Sequence, residues 1–249
     1  MAFLLALRFL TRIPVPMRDE PMAGAADATP TLGRAMAWFP LVGVIVGAAL
    51  VLARWAAGLA FGVPLASALT LAAWVAITGG LHLDGAVDCF DALMLAAPAE
   101  RRLAVLKDVH IGAYGVVGAT LLLLVKWLAI SEAPWPGLLA APVLGRMALV
   151  YVTAAFRYAR PTGMGAAFKA QLSPRYVAIA AATTLACVLL LGTRGGALAA
   201  GVSWLAAWAI GAWAARLLGG GITGDVYGLA CEAVEVVALL SWGALYAAR

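Results

Sequence analysis

IGAYGVVGATLLLLVKWLAIS, residues 111–131, carries a single charged side chain, Lys126, in a run long enough to cross a bilayer. A membrane helix needs about 20 predominantly apolar residues. Similar blocks occupy about 36–61, 64–81, 137–156, 176–193, 195–217 and 229–248. The 249-residue chain is 65% hydrophobic and 12% charged, whereas a soluble domain carries about 45–50% apolar and about 25% charged residues. A soluble fold is excluded on that excess. Gly and Ala recur through the blocks, as close helix packing in lipid requires. Trp38, Trp55, Trp127, Trp135, Trp204, Trp208, Trp213 and Trp242 fall often near block ends, as interfacial belts do. The fold class expected is all-α: a polytopic membrane helix bundle of about seven transmembrane helices. No internal repeat or linker divides the chain, so residues 1–249 form one membrane domain.

The N-terminus does not read as a signal peptide, because Arg8 and Arg12 interrupt its apolar run. It reads as an amphipathic interfacial helix that turns Phe3, Leu4, Leu7 and Leu10 to lipid or protein and is ended by Pro14 and Pro16. Cys89, Cys187 and Cys231 are far apart and odd in number, suggesting neither a disulfide framework nor a thiolate zinc site.

Charge sets the orientation. Arg8, Arg12, Arg18 and Arg34 share one side with the loops at about 82–110, 157–175 and 218–228. Those loops add Arg101, Arg102, Lys107, Arg157, Arg160, Lys169 and Arg175. The other side has Arg194 and Arg249, with Arg54 inside the end of the first block. The positive-inside rule places the N-terminus and these loops in the cytoplasm. Asp84, Asp88, Asp91, Glu100, Asp108 and Asp225 gather on that same side, and only Glu132 falls clearly opposite. Solubility does not explain such a one-sided collection.

Its densest part is GGLHLDGAVDCFDAL, residues 79–93. On a helix, Asp84, Asp88 and Asp91 stand at i, i+4 and i+7 and project from one face. Like charges so placed repel, and a hard divalent cation, magnesium or manganese, would relieve them. The competing reading is a solvated acidic face. A second cluster is the glycine-rich turn at 219–228, with Gly224 and Asp225, followed by Glu232 and Glu235. Its backbone amides suit an anion, and the two glutamates share a face and would complete a metal site with Asp225. The bland alternative is a flexible turn whose acids complement a helix start. Arg101, Arg102, Lys107 and the 157–175 loop are candidate phosphate ligands, or simply topological charges. His82 beside Asp84 is a candidate for proton transfer or for orienting a carboxylate. Lys126 and Arg146 are the main charges deep inside spans.

At these residues the chain resembles the adenosylcobinamide-GDP ribazoletransferase family, also called cobalamin synthase or cobalamin-5′-phosphate synthase. The resemblance rests on RFLTRIPVP (8–16), GGLHLDGAVDCFDAL (79–93), RRLAVLKDVHIGAYG (101–115), ARPTGMG (159–165) and GGITGDVYGLACEAVEVV (220–237), in the family's order and end to end. Ala92 stands where the family commonly has glycine, and Cys231 where it often has asparagine; neither change removes a carboxylate. The resemblance implies a magnesium-dependent enzyme of the cytoplasmic membrane, with manganese as a substitute. Its substrates would be adenosylcobinamide-GDP and α-ribazole or its 5′-phosphate, and GMP the leaving group. The site expected from it has Asp84, Asp88, Asp225, His82 and Lys107 in catalysis. Arg101, Arg102, Asp108, Arg160 and Gly224 would bind substrate, and Asp84, Asp88, Asp91, Asp225, Glu232 and Glu235 one metal ion or two. Membrane lipid is an expected partner and nucleic acid is not; self-association stays open. Two alternatives are a CDP-alcohol phosphotransferase-like lipid enzyme, whose motif spaces its aspartates differently, and a small polytopic transporter, whose ionisable groups would sit nearer midplane.

Overall fold

A computed structural model describes residues 1–16 and 31–247. Arg18 and Arg249, used above for orientation, lie outside the described residues. The described chain is all helical: α1 (Ala2–Leu10), α2 (Thr31–Met36), α3 (Phe39–Gly58), α4 (Val63–Thr78), α5 (Leu81–Met94), α6 (Ala99–Val105), α7 (Ala113–Glu132), α8 (Trp135–Ala155), α9 (Met164–Gln171), α10 (Pro174–Leu191), α11 (Thr193–Leu217) and α12 (Gly224–Ala247). Six of these are long and apolar enough to cross a membrane: α3, α7, α8, α10, α11 and α12. α4, which turns by 95° into α5, brings the number to as many as seven. The protein is a multi-pass membrane helix bundle.

The bundle is built around α8 and α12, the two candidate spans most buried within the protein. Small residues let their neighbours close in. Gly43 and Gly47 of α3 meet the backbone of Leu139, Pro142 and Val143 on α8, leaving no room for a Cβ. That is how helices associate where lipid supplies no hydrophobic drive. Trp242, expected in an interfacial belt, instead lies buried against Gly137, whereas Trp55 and Trp135 stay exposed.

Two departures from the sequence reading shape the site. The second span stops at Thr78 because Gly79 (φ 66°) and Gly80 (φ 69°) both adopt left-handed backbone, a conformation glycine enters without steric penalty. The chain then turns into α5, so the 82–110 segment is largely helix and not an open loop. At 16 residues, α4 spans about 24 Å; we take it as the crossing limb and α5 as lying outside it. The last helix, in turn, begins at Gly224 instead of about 229. Asp225 is therefore in its first turn, and Glu232 and Glu235 lie deeper than expected.

α1 is the amphipathic N-terminal helix, with Ala6 and Leu10 buried. It docks on protein through Phe9, which stacks on Phe39 (centroids 6.0 Å apart) and leans on Phe168 (5.1 Å). Its helix ends at Leu10, before the prolines, and the Thr11 hydroxyl donates to the Leu7 carbonyl (2.7 Å).

Candidate active site

The acidic helix α5 crosses the start of α12 through two glycines. Gly85 lies against the Asp225 backbone and Gly228 against the His82 backbone, and neither position admits a Cβ without displacement. This crossing brings the Asp84–Asp88 face to Asp225, although some 140 residues of sequence separate them. The segment before α12 is itself clipped in place. Ala159 N–H donates to the Ile222 carbonyl (2.9 Å), and Ile222 N–H donates to the Arg157 carbonyl (2.8 Å). The same clip delivers Arg160, whose Nη2 stands 3.5 Å from Asp225 Oδ2 and donates to the Leu106 carbonyl (3.2 Å). The Thr223 hydroxyl donates to Asp225 Oδ2 (3.0 Å).

The electrostatics report the convergence. Burial, then the carboxylates of Asp84, Asp225 and Asp91, push Asp88 up to about 6, against the pull of Arg160. Like charges crowded in a half-buried setting favour the protonated acid. Asp84 and Asp225 both line a cavity of about 230 Å³ with His82, Tyr227 and the Phe9–Phe39–Phe168 trio. His82 is buried, and its Nε2 has no hydrogen-bond partner among the described residues. Gly224 lines the same cavity. Asp84 also lines a second, wider cavity of about 690 Å³ on the side of α1.

Several expected ligands have other work. Asp91 accepts amide hydrogens from Gly112 (2.8 Å, Oδ2) and Gly115 (2.8 Å, Oδ1), so both its oxygens cap the N-terminus of α7. A carboxylate there meets donors that the helix itself cannot satisfy. Asp91→Ala is expected to lower the melting temperature clearly, since each hydrogen bond to a charged group is worth about 1.5–3 kcal/mol. A melt in detergent checks this, and an unchanged midpoint would contradict it.

Glu232 and Glu235 belong to a buried ion network. Lys126 Nζ reaches Glu232 Oε2 (2.7 Å) and Glu235 Oε2 (2.5 Å), and Arg146 pairs with Glu235 Oε1. All four groups are buried, and the Trp74 ring lies 4.0 Å from Lys126 Nζ. The glutamates neutralise two intramembrane cations. Arg102, expected to hold phosphate, is buried and donates to the carbonyls of Ala97 (2.8 Å) and Leu93 (2.5 Å), closing the end of α5. Asp108 pairs with His110 (2.6 Å) at the surface, and that hydrogen bond lowers its pKa. Arg101 and Lys107 are exposed nearby.

Sequence reasoning did not find the phenylalanine cluster or the four-membered ion network. The network was detectable: a charge inside a span demands a partner, and Glu232 and Glu235 were the acids at hand for Lys126 and Arg146. No three His, Cys, Asp or Glu side chains among the described residues form a ready metal-ligand group. The donor set of Asp84, Asp88 and Asp225 nonetheless suits a hard divalent cation in chemical type, and the raised Asp88 marks the charge such an ion would neutralise.

The model of the cobalamin-5-phosphate synthase family matches residues 2–243. A protein of Roseiflexus sp. named adenosylcobinamide-GDP ribazoletransferase is 38% identical over 237 residues, covering 94% of this chain and 86% of its own. Proteins of that same name from Geotalea daltonii (38% over 247 residues, 96% and 95% covered) and Klebsiella pneumoniae (35% over 253 residues, 96% and 98% covered) are similar throughout. No solved structure matches.

Proposed function

The chain belongs to the cobalamin-5-phosphate synthase family, and from that premise we propose how its site carries out the ribazole transfer for which its relatives are named. It is an enzyme, an adenosylcobinamide-GDP ribazoletransferase, with adenosylcobinamide-GDP and α-ribazole as substrates. A ribose hydroxyl oxygen attacks the phosphorus that carries cobinamide. The bond from that phosphorus to the GMP oxygen breaks, the hydroxyl proton passes to a base, and GMP leaves. Such a transfer rests on in-line positioning and on neutralising phosphate charge. The observation that carries the reading is the convergence of three carboxylates: Asp84 lines both cavities, Asp225 lines the inner one, and Asp88 lies close enough to both for their charges to raise its pKa.

The inner, aromatic cavity suits the flat base of α-ribazole among Phe9, Phe39 and Phe168. His82 and Asp225 then stand where the ribose hydroxyl gives up its proton. Arg160 holds Asp225 in place and adds positive charge to the same corner. Asp84, Asp88 and Asp225 would hold magnesium, or manganese in its place, and the bound ion would supply charge neutralisation at the diphosphate. The one-sided Lys and Arg pattern supports a site facing the cytoplasm.

The test of the reaction is GMP release by purified protein given adenosylcobinamide-GDP, with α-ribazole present or omitted. Release that requires the acceptor is expected, and its failure in folded protein would overturn the reading. The raised Asp88 adds a pH dependence. Below about 6 its carboxyl is protonated and a poor ligand; above that it is charged. The magnesium concentration for half-maximal activity is therefore expected to rise as pH falls through this value, approaching about tenfold per unit. Activation curves from about pH 5 to about pH 8 check it, and a flat requirement would remove Asp88 from the ion.

A further inference from the structure

Asp84 separates two cavities, and the outer one has a cationic wall. Besides Asp84 it is lined by Arg8, Thr11, Arg12, Gly79 and Gly80, among others. Arg8, Thr11 and Arg12 also line an adjoining cavity of about 600 Å³ that runs along Ile13–Pro16. Neither arginine belongs to the cluster around Asp225.

Arg12 is built into its place. The Thr11 hydroxyl donates back to Leu7 (2.7 Å) and accepts from the Ile13 amide (3.3 Å), which fixes the turn after α1. The Arg12 amide donates to the Ile77 carbonyl (2.7 Å), tying that turn to the last turn of α4. The Arg12 side chain then lies over Gly79, where a Cβ would collide with it. A surface charge serving only membrane orientation needs no such seat.

A ligand filling this cavity meets Arg8, Arg12 and the carboxylate of Asp84. A diphosphate ester answers both kinds of group, with one phosphate gripped by arginine and the other brought toward the acidic cluster. We infer that Arg12, with Arg8, forms the binding subsite for the diphosphate of the nucleotide donor, and so orients the GMP leaving group. This rests on the reaction proposed above. The donor would then enter by the outer cavity and the acceptor by the inner one, the two meeting at Asp84.

The test compares wild type with Arg12→Gln, Arg8→Gln and Arg12→Lys, each assayed for GMP release in detergent and in nanodiscs of zwitterionic or anionic lipid. For the glutamine variants the KM for adenosylcobinamide-GDP is expected to rise about tenfold or more, with the KM for α-ribazole changed less than about twofold. Product inhibition by GMP should weaken in parallel, and Arg12→Lys should fall between. If Arg12→Gln does not fold, Arg8→Gln and Arg12→Lys decide the matter. An unchanged donor KM in a wild-type enzyme that turns over would overturn the subsite alone; absent wild-type turnover would instead overturn the reaction. A defect confined to anionic nanodiscs would assign the arginines to lipid headgroups and equally overturn it.

Discussion

Asp84→Asn is expected to reduce the rate of GMP release by about 10²–10³-fold or more, the loss typical when one preorganised electrostatic group is removed at a transition state. The protein should still insert and fold. Asp84 is exposed on α5, at the boundary of both cavities. The contacts that hold α5 belong to Gly85, Ala86, Cys89 and Leu93 on its buried face. The substitution is isosteric and removes only charge and ligand character. Single-turnover kinetics on folded variant separate this from a binding defect. Near-normal turnover would remove Asp84 from the chemistry and leave the junction of the cavities without a role.

The second large effect is structural. Glu235→Ala should prevent accumulation of folded protein, or cost about 3–5 kcal/mol where the variant can be recovered, as breaking a buried ion pair does. That is a large share of a total stability of about 5–15 kcal/mol. Glu235 is fully buried and serves Lys126 and Arg146 at once. Its removal leaves two buried cations and one carboxylate. Replacing charge and counter-charge together is different: Glu235→Leu with Arg146→Met should recover much of the loss, since matched apolar side chains avoid the desolvation of the pair. Fluorescence-detected size exclusion in detergent reads both variants. A well-folded, fully stable Glu235→Ala would refute the network's structural role and reopen Glu235 as a metal ligand.

The contrast between these residues shows what a sequence exposes and what it hides. The spans are legible because a bilayer imposes length and composition on each helix separately. The Asp84–Asp88 face is legible too, because i, i+4 spacing puts both residues on one side of any helix. Partners are another matter. Asp91 shares that face, yet it captures the first amides of α7, a contact that no spacing within α5 announces. Glu232 and Glu235 look like ligands only if the last helix starts near them; its start at Gly224 carries them inward to Lys126 and Arg146. Arg102 looked like a phosphate ligand until α6 turned it onto the end of α5. The Gly79-Gly80 pair was visible as letters, but its consequence, a 95° bend that swings the acidic helix across α12, needs the folded chain.

We propose that Asp84, Asp88 and Asp225 form one cation-binding centre without Asp91, Glu232 and Glu235. The most direct measurement is manganese binding followed by electron paramagnetic resonance, on wild type and on the Asp84→Asn, Asp88→Asn, Asp225→Asn and Asp91→Asn variants at neutral pH. Tight binding is predicted for wild type and Asp91→Asn, with affinity weakened at least about tenfold in the other three. Undiminished binding in Asp84→Asn and Asp88→Asn, or its loss in folded Asp91→Asn alone, would contradict it.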